Sequence, residues 1–325
     1  MPGAIRFHEP GGPEVLRWEH VEVGEPGPGE VRVRHTAAGL NFIDTYHRSG
    51  LYPLPLPSGL GSEAAGRIEA VGVGVTVFAP GDRVCYVHRP PDSYTEARNL
   101  PASSVLHVPD AIDDETAAAM LLKGLTAWYL LRRSYPVQRG DSVLLYAAAG
   151  GVGQIAAQWA NHLGARVIGV VSSDAKAEQA RAAGCSEVLM ADEPVAERVR
   201  ALTDGEGVAA VYDSVGRDTF FASLDALRRH GTMVSFGNAS GPVEPFALLE
   251  LARRGSLYVT RPVLFDFIDT RAGLEAAAGE LFDVVGSGIV RVGVNQRYAL
   301  RDAARAHADL EARRTTGSSV LLPDA

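Results

Sequence analysis

Downstream of residue 110 the chain alternates short apolar runs with amphipathic stretches. Residues 143–147, 166–171, 187–190, 208–213, 232–236 and 257–260 are mostly apolar and short, which predicts strands. Between them, residues 152–163, 176–183, 195–202, 219–228 and 247–253 carry helical spacing. The clearest case sets Val152, Ile155, Ala156, Trp159, Ala160 and Leu163 at i, i+3, i+4, i+7, i+8 and i+11, one face of a helix with Trp159 in the core. Six apolar strands linked by crossover helices predict an α/β unit with one doubly wound parallel sheet.

The upstream part has a different rhythm. Residues 15–23, 31–38, 64–71, 83–87 and 105–108 read as strands broken by Gly and Pro clusters at 24–29 and 79–82, the pattern of a mostly antiparallel, barrel-like domain. Asp113 and the acidic residues after it suit a helix start ahead of residues 117–122. Near the end, 271–285 and 302–313 read as helices, with strands at 296–300 and 319–322 that return to the first domain. A chain of 325 residues exceeds the usual size of one core, which agrees with two domains.

One turn in this pattern carries chemistry. The segment Ala147-Ala-Ala-Gly-Gly-Val-Gly153 joins the first strand of the sheet to its first helix, with Ala148, Gly150 and Gly153 in the spacing G-x-G-x-x-G. The unpaired N–H groups and positive dipole end of such a helix can hold a pyrophosphate without any side chain. A tightly packed strand-turn-helix would need the same small residues. The second strand ends in Ser172-Ser173 rather than in the acidic residue that binds ribose hydroxyls, and Lys176 follows, which favours NADP(H) over NAD(H). Asp174 lies close enough to reach a ribose, although Asp there also suits the N-cap of the next helix.

Composition narrows the class. Hydrophobic residues make up 46% and charged residues 22%, ordinary for a globular protein, and the net charge of −8 with dispersed Lys and Arg lacks the footprint of a nucleic-acid binder. No apolar run approaches the ~20 residues that span a bilayer, and the first residues lack a signal peptide's apolar region, so the expected location is cytoplasmic. The two cysteines, Cys85 and Cys185, stand far apart without metal-spaced partners and are expected to be buried thiols. His107, in a strand, and His162, at a helix end, are expected to play structural parts.

The segments 39–46, 48–53, 122–126, 147–153, 212–218, 235–238 and 313–319 together resemble bacterial NADPH:quinone oxidoreductases, zeta-crystallin relatives in the medium-chain dehydrogenase/reductase superfamily. The resemblance runs through essentially the whole chain. It implies a GroES-like β-barrel catalytic domain (1–122 and 264–325), a Rossmann NADPH-binding domain (123–263) and a cofactor cleft at their junction. It also implies cofactor contacts at Asn41, Phe42, Ile43, Asp44, Thr45 and Tyr46. In the second domain these fall on Thr126, Tyr129, Gly150, Gly151, Val152, Gly153, Ser172, Ser173, Lys176, Gly216, Phe236, Gly237 and Asn238. Val263, Leu264, Phe265 and Arg313 complete the set, with Lys176 and Arg313 on the 2′-phosphate. Ala191 stands where the family often has a tyrosine near that phosphate.

The same architecture serves zinc alcohol dehydrogenases, which carry Gly-His-Glu where this chain has Gly61-Ser62-Glu63. Ser62 is a poor zinc ligand, and neither cysteine stands at a ligand position, so zinc-independent hydride transfer is expected. An acceptor that is already electrophilic, such as a quinone, suits that chemistry. Asn41, Tyr46 and Tyr52 are the candidates around it, with amide or phenol protons for a quinone oxygen or, for the tyrosines, an aromatic wall. An enoyl or alkenal double-bond reductase is the alternative, and a protein that senses NADPH or binds RNA is a third reading that the acidic charge disfavours. The resemblance further implies a homodimer formed through the edge strand at 257–260.

Overall fold

The computed structural model describes residues 1–323. The chain divides into two compact units: Met1–Lys123, Leu274–Ala278 and the residues from Val292 onward form the first, and Gly124–Gly273 with Gly279–Arg291 the second.

The second unit is built on a six-stranded parallel sheet. Across the sheet the strands run Glu187–Met190, Arg166–Val171, Ser142–Tyr146, Val208–Asp213, Leu227–Ser235 and Tyr258–Thr260. In chain order that is third, second, first, fourth, fifth, sixth, so the direction of winding reverses beside Ser142–Tyr146, where doubly wound folds bind ligands. Leu144, Ile168, Val211 and Met233 are fully buried, as strands covered on both faces require. The helix Gly151–His162 buries Ile155, Ala156, Trp159 and Ala160 and ends with His162 in its last turn.

Differences from the expected elements are local. The helix expected at 176–183 is Asp174–Ala182, and its N-cap is Ser173, not Asp174. Ser173 takes the extended conformation that a cap needs, so Asp174 enters the first turn, where its charge still complements the dipole. The fifth strand begins early, at Leu227, and shortens the preceding helix to Phe220–Ala226.

The first unit holds a seven-stranded sheet and a three-stranded one. The long strand Glu30–Leu40 pairs antiparallel with Glu63–Val71, Ala97–Pro101 and Ser318–Leu322, so the end of the chain does return to its beginning. Val294–Ala299 beside Ser318–Leu322 is a parallel pair in an otherwise antiparallel sheet. The strand expected at 15–23 is confined to Arg17–His20, because its partner Gly3–Phe7 offers pairing only that far. Phe7, Val33, Tyr86, Leu100 and Leu321 fill the interior. Cys85 and Cys185 are both buried free thiols, and His107 bonds the carbonyl of Val77 at 3.1 Å.

Candidate functional site

In the second unit the glycine turn is shaped by contacts that exclude side chains. Ala147 itself takes the left-handed conformation, with φ 52°, so the sharp bend falls one residue before the glycine-position Ala148. The Ala148 methyl fits because the neighbouring strand has Gly169, where a Cβ would lie 2.9 Å from it. Gly153 lets the helix close on the turn, since a Cβ there would stand 2.3 Å from the Ala147 carbonyl oxygen. Gly150 is the N-cap and supplies no side-chain acceptor to the first helical N–H groups, which leaves the helix end suited to an anion. Gly151 and Val152 open the helix.

At the end of the second strand, Lys176 Nζ donates to Ser172 Oγ at 3.3 Å, on the first turn of the helix capped by Ser173. Ala191 follows the third strand and bonds Val171 through its backbone at 2.8 Å.

The carboxyl end of the fourth strand holds a residue whose role the sequence did not disclose. Asp213 is fully buried. One of its oxygens accepts from the N–H groups of Val215 (2.7 Å) and Gly216 (3.1 Å), and the other from the hydroxyls of Thr219 and Ser223 (both 2.7 Å). The Asp213 carbonyl oxygen accepts from Phe236 N–H at 2.8 Å. Asp213 thereby fixes the loop through Gly216, whose φ is 96°, and the start of Phe236-Gly237-Asn238. Gly237 packs against the Ser214 carbonyl, closer than any Cβ permits. Elsewhere in this unit Thr126 is half-buried, Tyr129 stacks on Phe267 with 5.1 Å between ring centroids, and Leu264 and Phe265 lie in a short turn after Val263.

In the first unit, Asn41 caps the helix Phe42–Ser49. Asn41 Nδ2 donates to Glu63 Oε1 at 2.8 Å and to the Gly39 carbonyl at 3.4 Å, and its backbone N–H donates to Asp44 Oδ2 at 2.9 Å. Glu63 is fully buried and also accepts from Lys123 Nζ at 3.1 Å and Leu122 N–H at 2.6 Å. The Asn41 amide nitrogen thus has two acceptors within the protein, Glu63 Oε1 and the Gly39 carbonyl.

Asp44 and Thr45 also turn inward. Asp44 is fully buried and accepts from Tyr94 Oη at 2.7 Å, and Thr45 Oγ1 donates to the Phe42 carbonyl at 2.7 Å. Burial pushes the Asp44 carboxyl up to about 7, against hydrogen bonds from Tyr94 and Asn41 that favour the ionised form. Tyr46 and Tyr52 meet edge to face with centroids 5.3 Å apart, and Phe42 lies 5.5 Å from Tyr46. Ile43 is half-buried on the same helix, and Arg313 is exposed in a left-handed conformation with φ 58°.

The residues at the position of a dehydrogenase zinc do not suit a metal. Ser62 is buried, both oxygens of Glu63 are taken, and among the described residues no group of three His, Cys, Asp or Glu side chains could hold an ion.

Two family models match. The alcohol dehydrogenase GroES-like domain covers residues 27–110, and a model described as zinc-binding dehydrogenase covers 151–274. A quinone oxidoreductase of Pseudomonas aeruginosa is 55% identical over 99% of this chain and 100% of its own length. The chain belongs to the quinone oxidoreductase family. It therefore falls within the medium-chain dehydrogenase/reductase superfamily, with its GroES-like domain and Rossmann-type sheet. The crystal structure of a family member, Escherichia coli quinone oxidoreductase complexed with NADPH, superposes with a TM-score of 0.97 at 50% identity, covering 99% of this chain and all of that one. A 2-haloacrylate reductase from a Burkholderia species is 46% identical over the full length of both chains.

Glu63, Lys123 and Asp213 were visible in the sequence as members of recognisable segments. Their partners lie far along the chain, Asn41 being 22 residues and Lys123 60 residues from Glu63, so no spacing rule could connect them.

Proposed function

We propose that this chain is an NADPH-dependent quinone reductase that works without zinc. The observation that carries this reading is the phosphate-suited turn at Gly150–Gly153 with Ser172 and Lys176 beyond it, in a chain half identical to an oxidoreductase solved with NADPH. When bound, NADPH supplies the hydride, and a quinone that takes it together with one proton becomes a hydroquinone. The protein's contribution is to bind, orient and exclude water. The helix N-terminus at Gly150, Gly151, Val152 and Gly153 holds the pyrophosphate, and Ser172, Ser173 and Lys176 receive the 2′-phosphate. Arg313 adds a second positive charge for that phosphate. Gly216, Phe236, Gly237 and Asn238 line the carboxyl edge of the sheet, and Asn41, Tyr46 and Tyr52 serve the reacting end. The domain division at 122–123 and 263–264 belongs to the same reading.

Purified protein mixed with NADPH and 1,4-benzoquinone should consume the reduced nicotinamide, and it should do so equally in excess chelator. Loss of activity in chelator would overturn zinc independence. The similarity to a 2-haloacrylate reductase supports a second reading, reduction of an activated carbon–carbon double bond. Faster turnover of a 2-haloacrylate than of the quinone would transfer the assignment to it.

Lys176→Ala removes a charge-assisted contact to the phosphate that distinguishes the two cofactors. KM for NADPH should rise on the order of tenfold while KM for NADH stays nearly constant. Equal effects on both cofactors would place the 2′-phosphate elsewhere.

The homodimer belongs to this proposal too. Tyr258–Thr260 forms one edge of the six-stranded sheet, Tyr258 is 61% exposed, and Leu248 is 76% exposed. An open edge with apolar side chains beside it is a surface for pairing with a second copy. Wild-type protein should elute as a dimer at micromolar concentration and Tyr258→Glu as a monomer. A monomeric wild type rejects the dimer. No described helix is long and apolar enough to cross a membrane, and a cytoplasmic location is proposed with the activity.

A further inference from the structure

Gln154 links the glycine turn to the helix that carries Lys176. It stands in the first turn of the helix Gly151–His162, and its Nε2 donates to the Ala149 carbonyl at 2.9 Å and to Gln179 Oε1 at 3.4 Å. A carbonyl only accepts, so the nitrogen is the end that faces Ala149, and its two N–H groups match the two acceptors. Gln179 lies on the helix Asp174–Ala182, three residues beyond Lys176. All of these residues belong to the second unit.

The peptide between Ala149 and Gly150 is held at both of its polar atoms. Gln154 engages its carbonyl oxygen, and its N–H, on Gly150, donates to the Ala147 carbonyl at 2.9 Å. Gly150 and Gly151 follow it and place few steric limits on the backbone, so a side-chain bond supplies the restraint. This is the last peptide before the helix, whose cap offers no side chain to the first N–H groups. A carbonyl oxygen swung toward that end would turn its negative pole on a phosphate. Drawn toward Gln154, it leaves the N–H groups alone to face the anion.

We propose that Gln154 is a positioning residue for NADPH. It holds the Ala149 carbonyl back from the pyrophosphate, and through Gln179 it sets the distance between the pyrophosphate turn and the Lys176 side chain. The inference rests on the placement of the pyrophosphate at Gly150–Gly153 and of the 2′-phosphate at Ser172 and Lys176. Its two bonds then have different consequences. The bond to Ala149 serves NADPH and NADH alike, because both carry the pyrophosphate. The bond to Gln179 serves NADPH alone, because only a 2′-phosphate reaches Lys176.

The test reads Kd for NADPH and for NADH, from nicotinamide fluorescence, in the wild type, Gln154→Met, Gln179→Met, Lys176→Ala and the double variant Gln179→Met with Lys176→Ala. Methionine keeps the length and helix propensity of glutamine and has no N–H to donate. Thermal midpoints confirm that each variant is folded, and Gln154→Ala serves if Gln154→Met is not. Gln154→Met should raise Kd on the order of tenfold for NADPH and about threefold for NADH. Gln179→Met should raise Kd for NADPH about threefold, leave NADH unchanged, and lose its effect when Lys176 is already alanine.

A folded Gln154 variant that binds both cofactors as tightly as the wild type overturns the proposal. Equal effects of Gln179→Met on the two cofactors, or the same loss with and without Lys176, overturn the link to the 2′-phosphate and leave the glutamine pair a structural contact. If Lys176→Ala changes the affinity for neither cofactor, the placement of the 2′-phosphate fails and that link falls with it. The hold on Ala149 is then still decided by Gln154→Met with either cofactor. A wild type that binds neither cofactor overturns both the functional reading and the inference.

Discussion

Asp213→Ala is expected to destabilise the second unit by about 3–5 kcal/mol and to abolish measurable NADPH binding. The carboxylate is fully buried and satisfies two backbone N–H groups and two hydroxyls, all within 3.1 Å. Alanine leaves each of those groups without its acceptor and away from water, and a charge-assisted bond is worth about 1.5–3 kcal/mol. The individual losses overlap, because once the loop relaxes some groups reach solvent. Asp213→Asn should be much milder, on the order of 1 kcal/mol. Its oxygen can still accept from Val215 and Gly216, and its amide can donate to the hydroxyls of Thr219 and Ser223, which rotate to accept. Thr219 already has a second acceptor in the Gly216 carbonyl at 3.3 Å. Chemical denaturation and NADPH titration of both variants check the ordering. Equal losses would show that the negative charge matters more than the hydrogen-bond pattern.

Asp213 also illustrates where the sequence was legible and where it was not. The segment Tyr212-Asp-Ser-Val-Gly216 could be placed at the carboxyl edge of the sheet, because an apolar run followed by small and polar residues marks a strand end. Nothing in that run says whether the aspartate faces outward toward a ligand or inward toward its own loop. The answer depends on Thr219 and Ser223, which reach it only after the following helix, Phe220–Ala226, has formed. Helical spacing was more informative for Trp159, which lies in the core as its register requires, because one face of one helix fixes burial locally.

Backbone conformation was the second obscure property. The turn's G-x-G-x-x-G spacing pointed to Ala148, yet the left-handed residue is Ala147, and a residue's φ is not written in its identity when both candidates are alanine. The choice between Ser173 and Asp174 as N-cap has the same character, since both side chains suit the position. The antiparallel strand Ala97–Pro101 was unreadable for another reason. Its Ala-Arg-Asn-Leu-Pro sequence has no β-branched or aromatic residue, and the strand forms because Glu30–Leu40 offers a partner. The reach from Asn41 to Glu63 and from Asp44 to Tyr94 likewise exists only in the folded sheet.

That last pair leads to a pH dependence whose sign can be worked out. Arg48 Nη1 lies 3.1 Å from His307 Nδ1, and an arginine only donates, so the His307 proton sits on Nε2 and points to Tyr94 Oη at 3.3 Å. Tyr94 in turn donates to Asp44. Burial lowers His307 to about 3, aided by the Arg48 charge, whereas burial raises Asp44 to about 7. The folded chain therefore keeps a proton on Asp44 that the unfolded chain releases above its ordinary value of 3.8. Stability from this group is full at low pH, declines as pH rises toward 7, and is level above that, a total of about 4 kcal/mol. His307 acts in the opposite sense, since the unfolded chain gains a proton below 6.5 that the folded chain refuses. Asp44→Asn mimics the protonated acid and should match the wild type near pH 4, where the carboxyl is neutral in the fold. Its advantage should then grow to several kcal/mol by about pH 8. Denaturant midpoints of the two proteins across that range decide the matter. Parallel curves would mean that Asp44 does not titrate in the window. His307 is present in both proteins, so its contribution cancels in the difference between the two curves.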